Sequence, residues 1–312
     1  MAAKRVGVLE YHDEKYIKEV MGIVREKTGS EVFFFGVRDY DFSRLSNFNV
    51  IYDMISPFNR YLAEMMKIYF LNGAYIINNP FSITLYNKIL QIYKLSEMKM
   101  PIPKTIALPD VPDKSEKSFV RKPFFKGILK HFKFPFIIKP YDGYANKDVF
   151  VINSGQDLHK ICEEKKSHIM LIQEAIVPVD YYRVFVVNKK YVYFLKRHPR
   201  FIESKSFDFY DFSRLTPSLK RYISSKSIEI SREMGYDIST IEWSITADKK
   251  AYIIDVNDAP NIADPKKAKK MDLHFPEEAY EWVVSKISRM IIEKLNIPSH
   301  KQHVYAKNNF TI

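Results

Sequence analysis

The sequence predicts an α/β protein that opens on a parallel sheet with helices on its faces. Three observations predict it. Residues 4–37 read as strand, helix, strand, the start of an open parallel sheet. Hydrophobic residues make up 46% and aromatic residues 15% of 312, enough to bury a large core in two or three lobes and too much for a disordered chain. Further along, pairs of short apolar runs joined by turn residues read as hairpins, so antiparallel structure follows the parallel start.

The first strand is Lys4–Leu9. Ile17, Val20, Met21 and Val24 recur at helical spacing within Asp13–Lys27, and Gly29 ends that helix. Glu31–Val37 and Val50–Ile55 are the next strands, Pro57–Leu71 a helix stopped by Asn72-Gly73, and Tyr75–Ile77 a short fourth strand. One helix is expected over Ser82–Met98, ended by Pro101 and Pro103, then a surface loop over 109–127 and a helix over 124–132. Strands follow at Phe136–Ile138 and Val149–Ile152, a helix at Asp157–Glu164 and a strand at Ile169–Ile172. Arg183–Val187 and Lys190–Leu195 form a hairpin around Asn188-Lys189, residues 217–234 a helix, and Ser239–Thr246 a strand that turns at 247–250 into Tyr252–Ile254. Phe275–Leu295 is an amphipathic helix with acidic residues in its first turn, as the helix dipole favours, and 296–312 reads as a mobile tail.

The net charge of +12 fits affinity for nucleotides, phosphorylated metabolites or other polyanions, and fits equally a lysine-rich solvated surface. The single cysteine, Cys162, cannot form an internal disulfide and reads as packing; with no signal-like segment in residues 1–20, this suits a cytoplasmic protein. The most apolar run, Ile68–Phe81, contains three Asn and a Gly, so no membrane association is expected. The aromatic strands read as core and not as base-stacking platforms, which argues against nucleic acid. Oligomeric state is not written in the sequence.

Two stretches carry chemistry. In Lys250–Asn261, Asp255 and Asn257 project to one side of a strand end; they suit a hard cation such as Mg²⁺, and equally an Asx turn. Glu242 lies on the hairpin-paired strand, and two facing carboxylates repel unless a cation or proton sits between them. In Phe134–Asp148, Lys139 ends an apolar strand before a loop, a place from which it can neutralise phosphate or simply snorkel. The first strand lacks a G-x-G-x-x-G, so the ordinary dinucleotide fingerprint is absent.

Taken in order, Asn79-Pro80, Asn87-Lys88, Pro101-x-Pro103-x-Thr105, Lys139-Pro140-x-x-Gly143, Gln173-Glu174-x-Ile176, Arg183–Val187 and Asp255-Val256-Asn257-x-x-Pro260 resemble the ATP-grasp superfamily, nearest its glutathione synthetase and RimK-type carboxylate–amine ligases. The stretch Asp53-x-x-x-Pro57-Phe58-x-x-Tyr61 adds to the likeness, which covers about residues 50–262. It implies an N-terminal domain over 1–84, a central lobe over 85–172 and a C-terminal lobe over 173–312, the last two clasping ATP. It implies that Lys88 and Lys139 bind phosphates and that Gly143 begins a flap over them. Gln173, Glu174, Ala175 and Ile176 would meet adenine, with Glu174 and Asp180 as candidates for its amino group and the ribose. Arg183 and Arg197 would face the phosphoryl group or substrate, Lys139 joining them in catalysis, and Glu242, Asp255 and Asn257 would hold Mg²⁺ or Mn²⁺. Arg200, Lys266 and Lys267 are acceptor candidates for a small anionic substrate.

The sequence departs from the family in its flap, Gly143-Tyr144-Ala145-Asn146-Lys147-Asp148, which keeps one of the usual glycines, and at Asn261, where glycine is usual. Three functions stay open: a carboxylate–amine ligase, an inositol-phosphate-kinase-like enzyme suited to the basic runs at 197–200 and 266–270, and a nucleotide- or polyanion-binding protein without turnover.

Overall fold

The structure, a computed structural model, describes residues 3–9, 15–36, 45–108, 122–142, 148–165, 168–197, 215–262, 264–265 and 275–302. Gly143, Arg200, Lys266, Lys267 and residues 109–121 of the loop expected over 109–127 lie outside them, and residues 122–127 of that expected loop are helical.

The chain starts with β1 (Arg5–Leu9), α1 (Lys15–Thr28), β2 (Glu31–Phe35), β3 (Val50–Asp53), α2 (Arg60–Leu71) and β4 (Tyr75–Ile77). These strands form a parallel sheet in the order β2-β1-β3-β4. The four apolar positions spaced along α1 (Ile17, Val20, Met21 and Val24) are buried, with Tyr16 beside them, and Gly29 closes the helix in the left-handed region at φ 66°, its N–H donating to the Arg25 carbonyl. Gly7 is required by packing: a Cβ there would meet the Phe35 ring at 2.9 Å. The helix expected from Pro57 is divided. Asp53 accepts from the Ile55 and Ser56 N–H groups at 3.0 and 2.9 Å, which winds Ser56–Phe58 into a 3-10 turn, and Asn59 then caps α2.

The single helix expected over 82–98 is two helices, α3 (Pro80–Leu85) and α4 (Lys88–Glu97). Each begins at an asparagine. Asn79 accepts from Phe81 and Ser82; Asn87, with an extended backbone, accepts from Ile89 and Leu90 at 3.0 and 3.1 Å. Apolar spacing runs through the break without registering it, whereas the second cap makes Lys88 the first residue of α4.

The second layer holds β5 (Thr105–Leu108), α5 (Lys122–His131), β6 (Phe136–Pro140), β7 (Phe150–Ile152), α6 (Gly155–Glu164) and β8 (Met170–Glu174), an antiparallel sheet in the order β5-β8-β6-β7. Cys162 is buried in its core with Leu158 and Ile172. The third contains β9 (Asp180–Val187), β10 (Tyr191–Lys196), α7 (Pro217–Glu233), β11 (Ile238–Ile245) and β12 (Ala251–Asn257), antiparallel in the order β10-β9-β11-β12. Asn188 and Lys189, both at positive φ, make the expected hairpin turn. One face of this sheet (Tyr182, Val184, Ile241, Trp243) packs toward α7, where the Trp243 indole donates to Ser227 at 3.0 Å.

The last helix, α8 (Glu277–Lys294), returns to the first layer. Val283, Ile287 and Met290 share a core with Val6, Ile17 and Val20 of the first layer and with Phe185 and Ile238 of the third. Asp237, fully buried before β11, fixes the junction: it accepts from the Tyr75 hydroxyl at 2.9 Å and pairs with Lys189 at 3.3 Å and Lys294 at 3.4 Å. The beginning of the expected mobile tail is docked. Ile76 N–H donates to the Gln302 side chain at 3.2 Å, the Gln302 amide donates back to the Ile76 carbonyl, and Gln302 is 3% exposed. The amide closes the open edge of β4 as a strand would. Residues 303–312 lie outside the described set. Among the described residues, no helix is long and apolar enough to cross a membrane.

Candidate active site

The site stands on the face of the third sheet opposite α7, and strand register dictates its layout. Alternate residues share a face, so β9 presents Tyr181, Arg183 and Phe185 while β11 presents Ser244, Glu242 and Thr240. Glu242 faces Arg183 on one side and Asp255 on the other in direct register, and Thr240 faces Asn257 one row along. The side-by-side carboxylates expected from the hairpin are therefore present, helped by a bulge between Glu242 and Trp243 that lets the odd number of β12 residues stay in phase.

Cations hold this pair. Lys88, brought in by the Asn87 cap, places Nζ 2.5 Å from Asp255 Oδ1. Arg183 donates to Glu242 Oε1 through Nε at 3.0 Å and Nη2 at 2.5 Å. The Tyr181 hydroxyl donates to Glu242 Oε2. Lys139 reaches the same place from β6, donating to the Gln173 Oε1 at 3.0 Å and the Ile254 carbonyl at 3.3 Å. The Lys88 N–H donates to the Tyr141 carbonyl at 3.4 Å, tying the start of α4 to the end of β6.

The electrostatics follow from those distances. Burial pulls the Lys139 ammonium down to about 8; Asp255 opposes the shift and Lys88 adds to it. For Lys88 burial also works against the charge, but contact with Asp255, backed by Glu242 and Asp258, outweighs it and raises the ammonium above its usual value. Burial disfavours the Asp255 anion, yet Lys88, Lys139 and Arg183 hold its carboxyl below the ordinary range. Burial, reinforced by Glu242, pushes the Tyr181 phenol well above its ordinary value. Asp258 is pushed up to about 6, first by burial, with Asp255 and Asp53 adding and Lys88 opposing.

Lys88, Lys139, Gln173 and Asp255 line one small cleft together with Leu95, Ile102 and Ile253. Two ammonium groups and a carboxylate beside apolar side chains are chemistry suited to phosphates next to an aromatic base. Among the described residues no cluster of three or more His, Cys, Asp or Glu side chains could hold a metal. The set here is two carboxylates and an amide, all hard oxygen donors, and Mg²⁺ needs few protein ligands when phosphates supply the rest. Positive charge already gathers at this position in Lys88 and Arg183, so the donor set fits a small divalent cation.

The remaining expected residues are more dispersed. Asn257 Oδ1 accepts from the Ala259 N–H at 2.9 Å, the Asx turn, on the same strand face as Asp255. Glu174 is exposed at the end of β8, and its side chain accepts from the Lys104 N–H at 3.4 Å; Ala175 and Ile176 follow it. Asp180 shares the face of Tyr182, opposite Arg183, and is buried in a pair with Lys196 at 3.3 Å. Arg197 continues β10, its N–H donating to the Tyr181 carbonyl at 2.9 Å, which by alternation turns it to the side of Arg183. Sequence reasoning missed Tyr181 and Asp258. Tyr181 was available from strand alternation, two residues before Arg183; nothing in the sequence marked Asp258 beyond its place at a strand end.

Residues 87–276 match the family model described as a RimK-like ATP-grasp domain. No curated protein matches the chain. Among solved structures, the chain is similar to a RimK domain ATP-grasp protein from Sphaerobacter thermophilus (14% identity, 93% of this chain and 99% of that one, TM-score 0.62). It is similar to D-alanine–D-alanine ligase from Bacillus anthracis complexed with ATP (17%, 95% and 97%, TM-score 0.64). It is similar also to a RiPP-associated ATP-grasp ligase from Chryseobacterium gregarium in complex with ADP and a leader and core peptide (14%, 93% and 97%, TM-score 0.61). At these identities the structures share the fold.

Proposed function

The chain belongs to the RimK-like ATP-grasp family, and from that premise we propose that it is an ATP- and Mg²⁺-dependent ligase joining the carboxylate of a small anionic substrate to an amine through an acyl phosphate. The observation that carries the reading is the convergence of Lys88, Lys139 and Asp255 on one cleft, beside Glu242 on the adjacent strand. Phosphoryl transfer asks for positioning and charge neutralisation more than for covalent chemistry, and this cleft supplies both.

Lys88 and Lys139 offset phosphate charge, and the apolar wall of Leu95, Ile102 and Ile253 takes the base. Glu242, Asp255 and Asn257 would hold magnesium, which would supply positive charge against the charge that develops on the phosphates. The substrate carboxylate oxygen attacks the γ-phosphorus and ADP leaves. The amine then attacks the acyl carbon, loses its proton to solvent and expels inorganic phosphate, which carries away the former carboxylate oxygen. Arg183, already fixed on Glu242, and Arg197 lie on the face where this charge forms.

The test supplies ATP, Mg²⁺ and a mixed pool of amino acids and small dicarboxylates, and follows ADP and inorganic phosphate together. Equal release of both, dependent on the pool and lost in Asp255→Ala and Lys139→Ala, is the expected result. Phosphate retained on an acceptor would replace the ligase with a kinase. Turnover left intact in both variants would place the chemistry elsewhere.

A further inference from the structure

We propose that Tyr181 is a positioning residue for the nucleotide–metal site: its hydroxyl fixes the second oxygen of Glu242, so that this carboxylate is presented to a metal in one orientation. The inference rests on the nucleotide reading above and concerns a residue outside the family motifs.

The register shows why tyrosine is needed. The residue directly opposite Glu242 on β9 is Arg183, and Tyr181 faces Ser244 one row away. A diagonal neighbour on a sheet face lies about 7–8 Å off, beyond a short side chain but within reach of an aromatic one. Arg183 spends both of its contacts on Oε1. Oε2 has the Tyr181 hydroxyl as its side-chain donor. With Arg183 alone, the carboxylate is pinned at one atom and free to turn about its last torsion, which is broad for glutamate. With Tyr181 it is pinned at two. Each oxygen keeps lone-pair capacity, since a carboxylate offers about four acceptor sites. Tyr181 can therefore orient Glu242 while leaving it able to bind a cation. Its main chain is fixed too, because its carbonyl accepts the Arg197 N–H and so anchors the end of β10 beside the site.

Partners that hold a metal-binding side chain in place usually contribute tenfold to a hundredfold to metal affinity. Tyr181→Phe keeps the ring and deletes only the donor. The experiment titrates Mn²⁺ in the presence of ADP and reads bound metal by electron paramagnetic resonance, for the wild type, Tyr181→Phe, Glu242→Gln and the double variant. The expected result is a tenfold to hundredfold weaker Mn²⁺ constant in Tyr181→Phe, with the double variant no weaker than Glu242→Gln alone, because the hydroxyl acts only through Glu242. A merely structural role would move the melting temperature and leave that non-additivity absent. Wild-type affinity in Tyr181→Phe, or strictly additive losses in the double variant, overturns the proposal. If the wild type binds no Mn²⁺ with ADP, the nucleotide reading itself fails and the role of Tyr181 fails with it.

Discussion

Lys139→Met separates the cost of the site to the fold from its use in binding. The ammonium is held down from 10.5 to about 8. At 1.36 kcal/mol per unit, that shift corresponds to about 3 kcal/mol by which the folded state disfavours the charged form. Because the folded value lies below the unfolded one, the penalty is full below pH 8 and vanishes as pH rises through 10.5, so this group makes stability climb with pH in that window. The variant removes the penalty but strands the Gln173 Oε1 and the Ile254 carbonyl, at about 1 kcal/mol each. At pH 7 it should be about 1 kcal/mol more stable than the wild type in urea without nucleotide; near pH 10.5 it should be about 2 kcal/mol less stable. The difference between the two proteins, which cancels the titration of every other lysine, must change sign within the window. At pH 7 the variant should also lose the thermal stabilisation that ATP gives the wild type. A stability difference flat from pH 7 to 10.5 would refute the assignment of a buried, charge-depressed Lys139.

Asp255→Asn removes the carboxylate that Lys88 contacts at 2.5 Å; steady-state ADP release should fall on the order of 10²-fold or more, as for other preorganised electrostatic contacts. Asn87→Ala takes away the cap that starts α4, costing about 1 kcal/mol of that helix; carried into the placement of Lys88, it should raise the ATP dissociation constant about fivefold by calorimetry. Asp237→Asn leaves Lys189 and Lys294 without their buried counter-charge; urea unfolding should show a loss of about 3–5 kcal/mol, with the Mn²⁺ constant of any folded fraction unchanged.

The fold was legible wherever apolar spacing or turn chemistry was decisive. The α1 stripe follows from periodicity, the Asn188-Lys189 turn from turn chemistry, and the hairpin put Glu242 and Asp255 on paired strands, their exact register being set by the bulge after Glu242. What periodicity could not show were events that leave the apolar pattern unchanged. Asn87 restarts a helix whose stripe looks continuous, and that restart aims Lys88. Gln302 closes a strand edge with one side-chain amide, from a segment with no apolar signature. The Tyr181 contact crosses a row of the sheet, so it depends on a register that no single strand states. Lys88, Lys139 and Asp255 converge from three separate elements, and their order in the sequence carried that information only through its likeness to a family.

The measurement that bears most directly on the proposed chemistry is oxygen transfer. The protein is incubated with ATP, Mg²⁺ and the amino-acid and dicarboxylate pool labelled with ¹⁸O in its carboxylates, and the released phosphate is read by mass spectrometry. An acyl phosphate requires one ¹⁸O in each inorganic phosphate, and requires the yield of labelled phosphate to fall on the order of 10²-fold or more in Asp255→Asn. Unlabelled phosphate, or label-free ADP release with the phosphoryl group retained on an acceptor, would contradict the ligase.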